Sequence, residues 1–404
     1  MRRFFYLALT VTVLLTRGYR VFGQVPLSTD HYDILGEDPA AGERIAQDLE
    51  ERFAIYTRLF RFNPGLLASP LKVRLIGDTA AYDEYLVGRL GATNSGALYL
   101  HYRQAERREL VINYAAANNG DATGDGVTGG GTRADWERAL PYQSFIQYLR
   151  AFIPSPPAWL EEGFAIYFST LSIKGGELAY AENLSWLERV KELTIPPVQD
   201  ILLQSVQDSG DSLSRADYSA LSWALVSFFL NSGNEDYIRS LLECFMLLSP
   251  DAGLEENSIA AAQRIGDWNG FENLDRDYRS YISSRKTFSE LMNEGRDAYG
   301  QGSYDEAEQA FAGAAVLRPD HNAPHYYLGL IAYGRGDWVR AEQYYSRSLE
   351  LGGDTALVYY ALGLNAAAAE QGERAAEFLH RAVAADPARY REKANVLLRR
   401  LPSR

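Results

Sequence analysis

Cysteine is nearly absent. The 404 residues hold one, Cys244, so no disulfide can form within the chain, and its place in the apolar run LLECFMLL marks a buried, inert thiol. Histidine is scarce as well. The five are His31, His101, His321, His325 and His380, which leaves few imidazoles for a metal site. Positive charge is in deficit: 40 Lys and Arg face 53 Asp and Glu, a net charge of −13. A chain of that sign is repelled by phosphate backbones, which argues against nucleic acid as a partner. The apolar run at the N-terminus, Phe4 to Leu15, has 12 residues, whereas a bilayer-spanning helix needs about 20.

That run follows Arg2 and Arg3 and precedes the compact residues Val21-Phe22-Gly23, the three parts of a secretory signal over residues 1–23. An uncleaved anchor is the alternative. Cleavage would remove four Arg and no acid, taking the net charge from −13 to about −17. No Cys follows the run, so no lipid anchor is expected. The mature chain is therefore predicted to be exported, periplasmic or envelope-associated, without an integral membrane segment.

What is present is an ordinary globular composition, 47% hydrophobic and 23% charged, over a length sufficient for two or three domains. Residues 286–404 repeat themselves. Gly295, Gly329 and Gly363 are spaced by 34, and so are Ala307, Ala341 and Ala375, Phe311, Tyr345 and Leu379, and Pro319, Gly353 and Pro387. With the Leu328-Gly329 and Leu362-Gly363 pairs, this pattern resembles the tetratricopeptide repeat, with units at about 288–321, 322–355 and 356–389. The first copy departs from it, with Glu294 where the repeat has Leu. A unit of two short amphipathic helices cannot bury its apolar face alone, so units stack. The charged segment ARYREKANVLLRR would cap the stack.

Residues 24–285 read differently. HYDIL, LKVRLIG, GALYLHY and ELVINY have strand character. Helical segments lie between the first three, with Ile45, Leu49, Phe53, Tyr56 and Phe60 on one stripe of the first. Long helical runs follow, including YSALSWALVSFFL and YIRSLLECFMLL. The fold class expected is an α+β N-terminal domain, a small mixed sheet plus helices, followed by an all-α repeat solenoid.

The segment PYQSFIQYLRAFIPSPPAWLEEGFAIYF, 141–168, carries the candidate chemistry. Pro157, Trp159, Leu160, Glu162, Gly163, Ala165 and Tyr167, with Tyr218, Ser219 and Trp223, resemble the peptidase MA-like domain, a gluzincin-type metallopeptidase fold. The resemblance implies two His at i and i+4 on one helix, a Glu general base between them, and a Glu on the next helix as third zinc ligand. Carried onto this chain, the first His is Gln143, the base Ser144, the second His Gln147, and the third ligand Glu162. A neutral amide is a poor zinc ligand, and Ser144 has no basicity near neutral pH. No zinc hydrolysis is expected, and no cofactor. Glu162 shares a helix face with Trp159 and Ile166, and the expectation is that the amides of Gln143 and Gln147 donate to it; a solvent-facing Glu162 is the alternative.

Two further features point to binding. Asp121, Thr123 and Asp125 with Gly126 resemble the first half of a calcium loop, but Gly129 and Thr132 stand where further ligands belong, so a Gly-rich loop is the reading. In the repeats, Met292, Arg296, Tyr299, Tyr326, Leu330, Tyr333, Tyr360 and Leu364 fall at positions that face the concave groove, a composition suited to a protein or peptide partner. The sequence thus supports an exported, catalytically inactive metallopeptidase-like protein acting as an envelope scaffold or adaptor. The alternative is an unorthodox peptidase or hydrolase using Glu161, Glu162 and the Gln pair.

Overall fold

A computed structural model describes residues 25–401, apart from 95, 116–132, 175–176, 181–183 and 205–213. The signal segment and the Asp121–Asp125 loop therefore lie outside the described residues. Among those described are 17 helices and a small mixed sheet. The sheet holds β1 (Val25–Ser28), β2 (Tyr32–Gly36), β3 (Leu71–Ile76), β4 (Ala97–Leu100) and β5 (Glu109–Asn113), in the order β1-β2-β3-β5-β4. β2, β3 and β5 run parallel, with Ile34 opposite Val73 and Val73 opposite Leu110; β1 and β4 are antiparallel edges. β1 was not expected: it is a four-residue strand, mostly exposed, with no alternating pattern to read.

Compact packing divides the chain into two units. The first comprises residues 25–178, 202–204 and 238–268. Helices α1 (Pro39–Phe60), α2 (Thr79–Leu90) and α3 (Arg133–Phe152) pack on its sheet, and α4 (Ala158–Ser169) packs on α3. The predicted stripe of α1 is buried from Ile45 to Phe60. Asp38 caps α1, its carboxylate accepting the amide protons of Ala40 and Ala41. Cys244 is fully buried with its Sγ–H on the Ser240 carbonyl, and burial pushes its pKa up to about 12.

The second unit takes in residues 179–201, 214–237 and 269–401. The boundary expected at 285 is thus not where packing divides the chain. Helices 184–192, 215–231 and 271–284 pack on one another. Lys191 pairs with Glu290 of the first repeat at 2.8 Å, and Ser289 donates to Glu188. Charge pairs between helices are invisible to periodicity, which is why the sequence drew a cleaner line.

The repeats are helix pairs 288–300/304–317, 322–334/338–350 and 355–368/372–385, closed by helix 387–398. Their first helices cross the second at Gly295, Gly329 and Gly363. A Cβ there would lie 2.6 Å from Phe311, 2.5 Å from Tyr345 and 2.8 Å from Leu379, so the 34-residue glycine step is a packing requirement. Between the helices, Gly302 and Gly336 adopt φ of 79° and 77°, and at the same step the third repeat has Glu370 at φ 61°. Left-handed backbone costs a non-glycine residue about 1–2 kcal/mol. Glu370→Gly is expected to raise stability by up to about 1 kcal/mol, measured by urea titration; a loss would show that the Glu370 side chain outweighs the strain.

Candidate functional site

The repeats present a pocket of about 240 Å³ on their second and third units. Tyr326, Leu330 and Tyr333 reach it from helix 322–334, and Leu357, Tyr360 and Leu364 from helix 355–368. Spacings of three and four place each trio on one helix face, and the glycine crossings bring the two faces together. Tyr345 forms part of the inner wall, its ring 5.9 Å from that of Tyr326. The final helix, 387–398, contributes Arg389, Tyr390 and Lys393.

Five of the eight residues expected in the groove thus converge: Tyr326, Leu330, Tyr333, Tyr360 and Leu364. The first-repeat residues do not join them. Met292 is 3% exposed and belongs to the core formed with Phe288, Phe311 and Leu328, so it offers no surface to a partner. Arg296 turns back and donates from Nε to the Met292 carbonyl at 3.1 Å. Tyr299 packs on Tyr304 and Tyr327, with ring centroids 5.6 and 6.3 Å apart. The sequence also passed over Leu357, Arg389 and Lys393. The i, i+4 spacing of Arg389 and Lys393 about Tyr390 was the available signal, hidden by its reading as a polar cap.

Burial, then neighbouring tyrosines, push Tyr326 up to about 12, and burial raises Tyr345, Tyr360 and Tyr390 as well. All four are therefore protonated at neutral pH and available as donors. Among the described residues, no hydrogen bond engages the hydroxyls of Tyr326, Tyr333, Tyr345 or Tyr360. The Arg389 guanidinium lies 3.0 Å from Asp354, both groups half exposed. Lys393 Nζ sits 5.7 Å from the Tyr390 ring centroid, with no carboxylate within ion-pair distance among the described residues.

Gln143, Ser144, Gln147 and Glu162, the positions onto which the metallopeptidase resemblance carries a metal site, lie in the first unit. Gln143 and Gln147 face the sheet. Gln143 Oε1 accepts the Tyr99 N–H of edge strand β4 at 3.0 Å, and Gln147 Nε2 donates to the Lys72 carbonyl at 2.8 Å. Gln147 is 2% exposed, and its Oε1 has no partner. Ser144 is fully buried and donates to the Pro141 carbonyl at 3.1 Å. Neither amide donates to Glu162, contrary to expectation. The α3–α4 joint is made by residues the sequence did not single out: Tyr142 donates to Glu162 Oε2 at 2.6 Å, and Arg150 NH2 donates to Glu161 at 2.7 Å. Tyr142 and the long Arg150 side chain reach α4, while the Gln143 and Gln147 amides turn to the sheet.

His101 follows β4 at the surface. Partial burial, then the Arg150 and Arg108 guanidiniums, lower its pKa to about 4, so it is neutral at pH 7. Among the described residues, no three His, Cys, Asp or Glu side chains form a group able to hold a metal ion, and no helix is long and apolar enough to cross a membrane.

The comparisons with known proteins bear on the repeats. Residues 292–356 match the tetratricopeptide repeat family. Similar solved structures include the first TPR of Spaghetti (RPAP3) bound to the HSP90 peptide SRMEEVD, with 20% identity over 28% of this chain and 86% of that one and a TM-score of 0.26. Another is the Arabidopsis OM64 TPR domain, with 17% identity over 28% of this chain and 93% of that one and a TM-score of 0.27. No curated protein matches the sequence. The matched stretch and the 34-residue glycine crossings agree: the C-terminal part of this chain carries helical repeats similar to tetratricopeptide repeats.

Proposed function

We propose that the chain is an exported interaction protein of the cell envelope, in which a metallopeptidase-like domain without hydrolytic chemistry is joined to a repeat stack that holds a segment of a partner protein. The pocket carries this reading. It gathers half-buried tyrosines and leucines from two repeats around open volume, the composition of an interface anchor site. The environment of the degenerate motif supports catalytic silence. Both amides bond strand backbone and the buried Ser144 hydroxyl donates to a carbonyl; a neutral amide is a poor zinc ligand, and a hydroxyl is no base near neutral pH. Gln143 also occupies an outward N–H of β4, a donor that an extended peptide pairing with that edge would use.

Affinity capture from envelope extracts tests the binding reading, comparing the wild type with Leu330→Asp. Partner proteins retained by the wild type and lost by the variant are expected; equal recovery with both would remove the groove from the function. Metal analysis of the same preparations tests the silent centre, with less than about 0.1 zinc per chain expected, given the absent imidazoles. Stoichiometric zinc abolished by Glu162→Ala, with peptide hydrolysis lost alongside it, would restore the enzyme reading.

A further inference from the structure

Neighbouring repeat units are joined by a regular charge pairing. Glu308 of the first unit meets Arg340 of the second at 3.0 Å, and Glu342 of the second meets Arg374 of the third. Arg340 and Arg374 are 34 residues apart, and one step further back stands Glu306. Apolar positions invert in the same way. Leu328 and Ile331 are buried in one cluster with Met292 and Phe311 of the preceding unit, and Leu362 and Asn365 are buried one step on. The first unit carries Glu294 and Asp297 at these two positions, both exposed. The start of the stack thus presents three acids where later units lie under their predecessor. They rim a cleft of about 540 Å³ with Leu291, Ala298 and Ala310 as its apolar lining. Glu294 pairs with Lys286, while Asp297 and Glu306 have no partner among the described residues. Helix 184–192 contacts this end through Ser289, Glu290 and Arg318, none of which lines the cleft.

The other end of the stack has the opposite sign. Helix 387–398 buries Tyr390 and Ala394. Its exposed side carries Arg391 and Arg399, with Val396 49% exposed beside them, Glu392 as an acid, and Arg400 just beyond. Among the described residues, none of these three arginines has a carboxylate within ion-pair distance, on a chain whose net charge is −13. Terminal units need polar outer faces for solubility, but that need does not require opposite signs at the two ends. We propose that the acidic cleft at the start of the stack receives the exposed side of helix 387–398 from a second copy of this chain. Val396 meets the apolar lining at Leu291 and Ala298, while Arg391 and Arg399 face Glu306 and Asp297, continuing the pairing between units with its signs exchanged. The contact is head-to-tail, so the same two surfaces can add further copies. Exposed charges drive it, so it weakens as salt rises. Neither surface lines the groove pocket, which makes self-association separable from partner capture.

Sedimentation equilibrium on the full chain tests this at low salt and in roughly 1 M salt, where charges are screened beyond about 3 Å. At low salt the wild type is expected to reach a weight-average mass at least about twice the monomer's, and at high salt to return to monomer. Two charge reversals alter exposed side chains and leave the core untouched: Arg391→Glu with Arg399→Glu, and separately Asp297→Lys with Glu306→Arg. Each double variant should remain monomeric at low salt with unchanged circular dichroism. Mixed in equal amounts, the two should regain the wild-type mass, because opposite charges meet again. A monomeric wild type at low salt would overturn the head-to-tail contact. So would association that survives high salt or both reversals, or a mixture of folded variants that stays monomeric.

Discussion

Phe60→Ala is expected to lower the stability of the first unit by about 3–5 kcal/mol, the range for deleting a buried aromatic side chain. Phe60 closes helix α1 and is 3% exposed. Its ring lies 5.7 Å from Phe145, 5.1 Å from Phe164 and 4.3 Å from Phe245. It therefore joins three separate stretches, α3, α4 and the helix 235–247, at one point. Alanine leaves a cavity that three rigid rings cannot fill by small shifts, which places the loss toward the upper end. Urea unfolding followed by near-ultraviolet circular dichroism checks it, with Leu66→Ala, 73% exposed, as a control expected to stay within about 0.5 kcal/mol. A loss below about 1.5 kcal/mol for Phe60→Ala would mean that the aromatic cluster repacks around the missing ring.

The second large effect lies in the repeats. Gly329→Leu is expected to cost about 3 kcal/mol or more, because its Cβ alone would stand 2.5 Å from the Tyr345 ring, and overpacking of this kind costs about 1–3 kcal/mol even for smaller intrusions. Tyr345 is itself 1% exposed and cannot swing aside. Neighbouring repeats depend on one another for burial, so the damage should spread from the second unit into the third. Tyr326, Leu330, Tyr360 and Leu364 would then separate, and peptide binding should fall with stability. Hydrogen exchange over 322–385 reads the effect. Gly334→Ala is the contrast: no atom lies within 4 Å of its added Cβ, and it should be neutral or gain about 0.5–1 kcal/mol. Protection in Gly329→Leu equal to wild type would contradict the steric account of the glycine step.

Local patterns were legible in the sequence to the extent that they repeat or alternate. The 34-residue step fixed the repeats because each glycine answers to one bulky residue 16 positions later, a pairing carried within a single unit. Strands β2, β3 and β5 were readable from their apolar content, and helix α1 from its stripe. The residue types at Gln143, Ser144 and Gln147 were readable too, since a neutral amide is a poor zinc ligand wherever the helix points.

Rotation and long-range company were not legible. Whether Gln143 faces Glu162 or Tyr99 depends on how α3 is turned against the sheet, a matter of tens of degrees decided by Phe145, Tyr148 and the rings around them. So Tyr142 and Arg150, not the amides, came to join α3 to α4. In the same way, Met292 belonged to the groove by position but was claimed by the core. Lys393 belonged by position to a cap, and the closing turn of the stack brought it to the pocket. Sequence determined which residue types stand at each position; only packing, which sums many contacts between distant segments, decided which of them face one another.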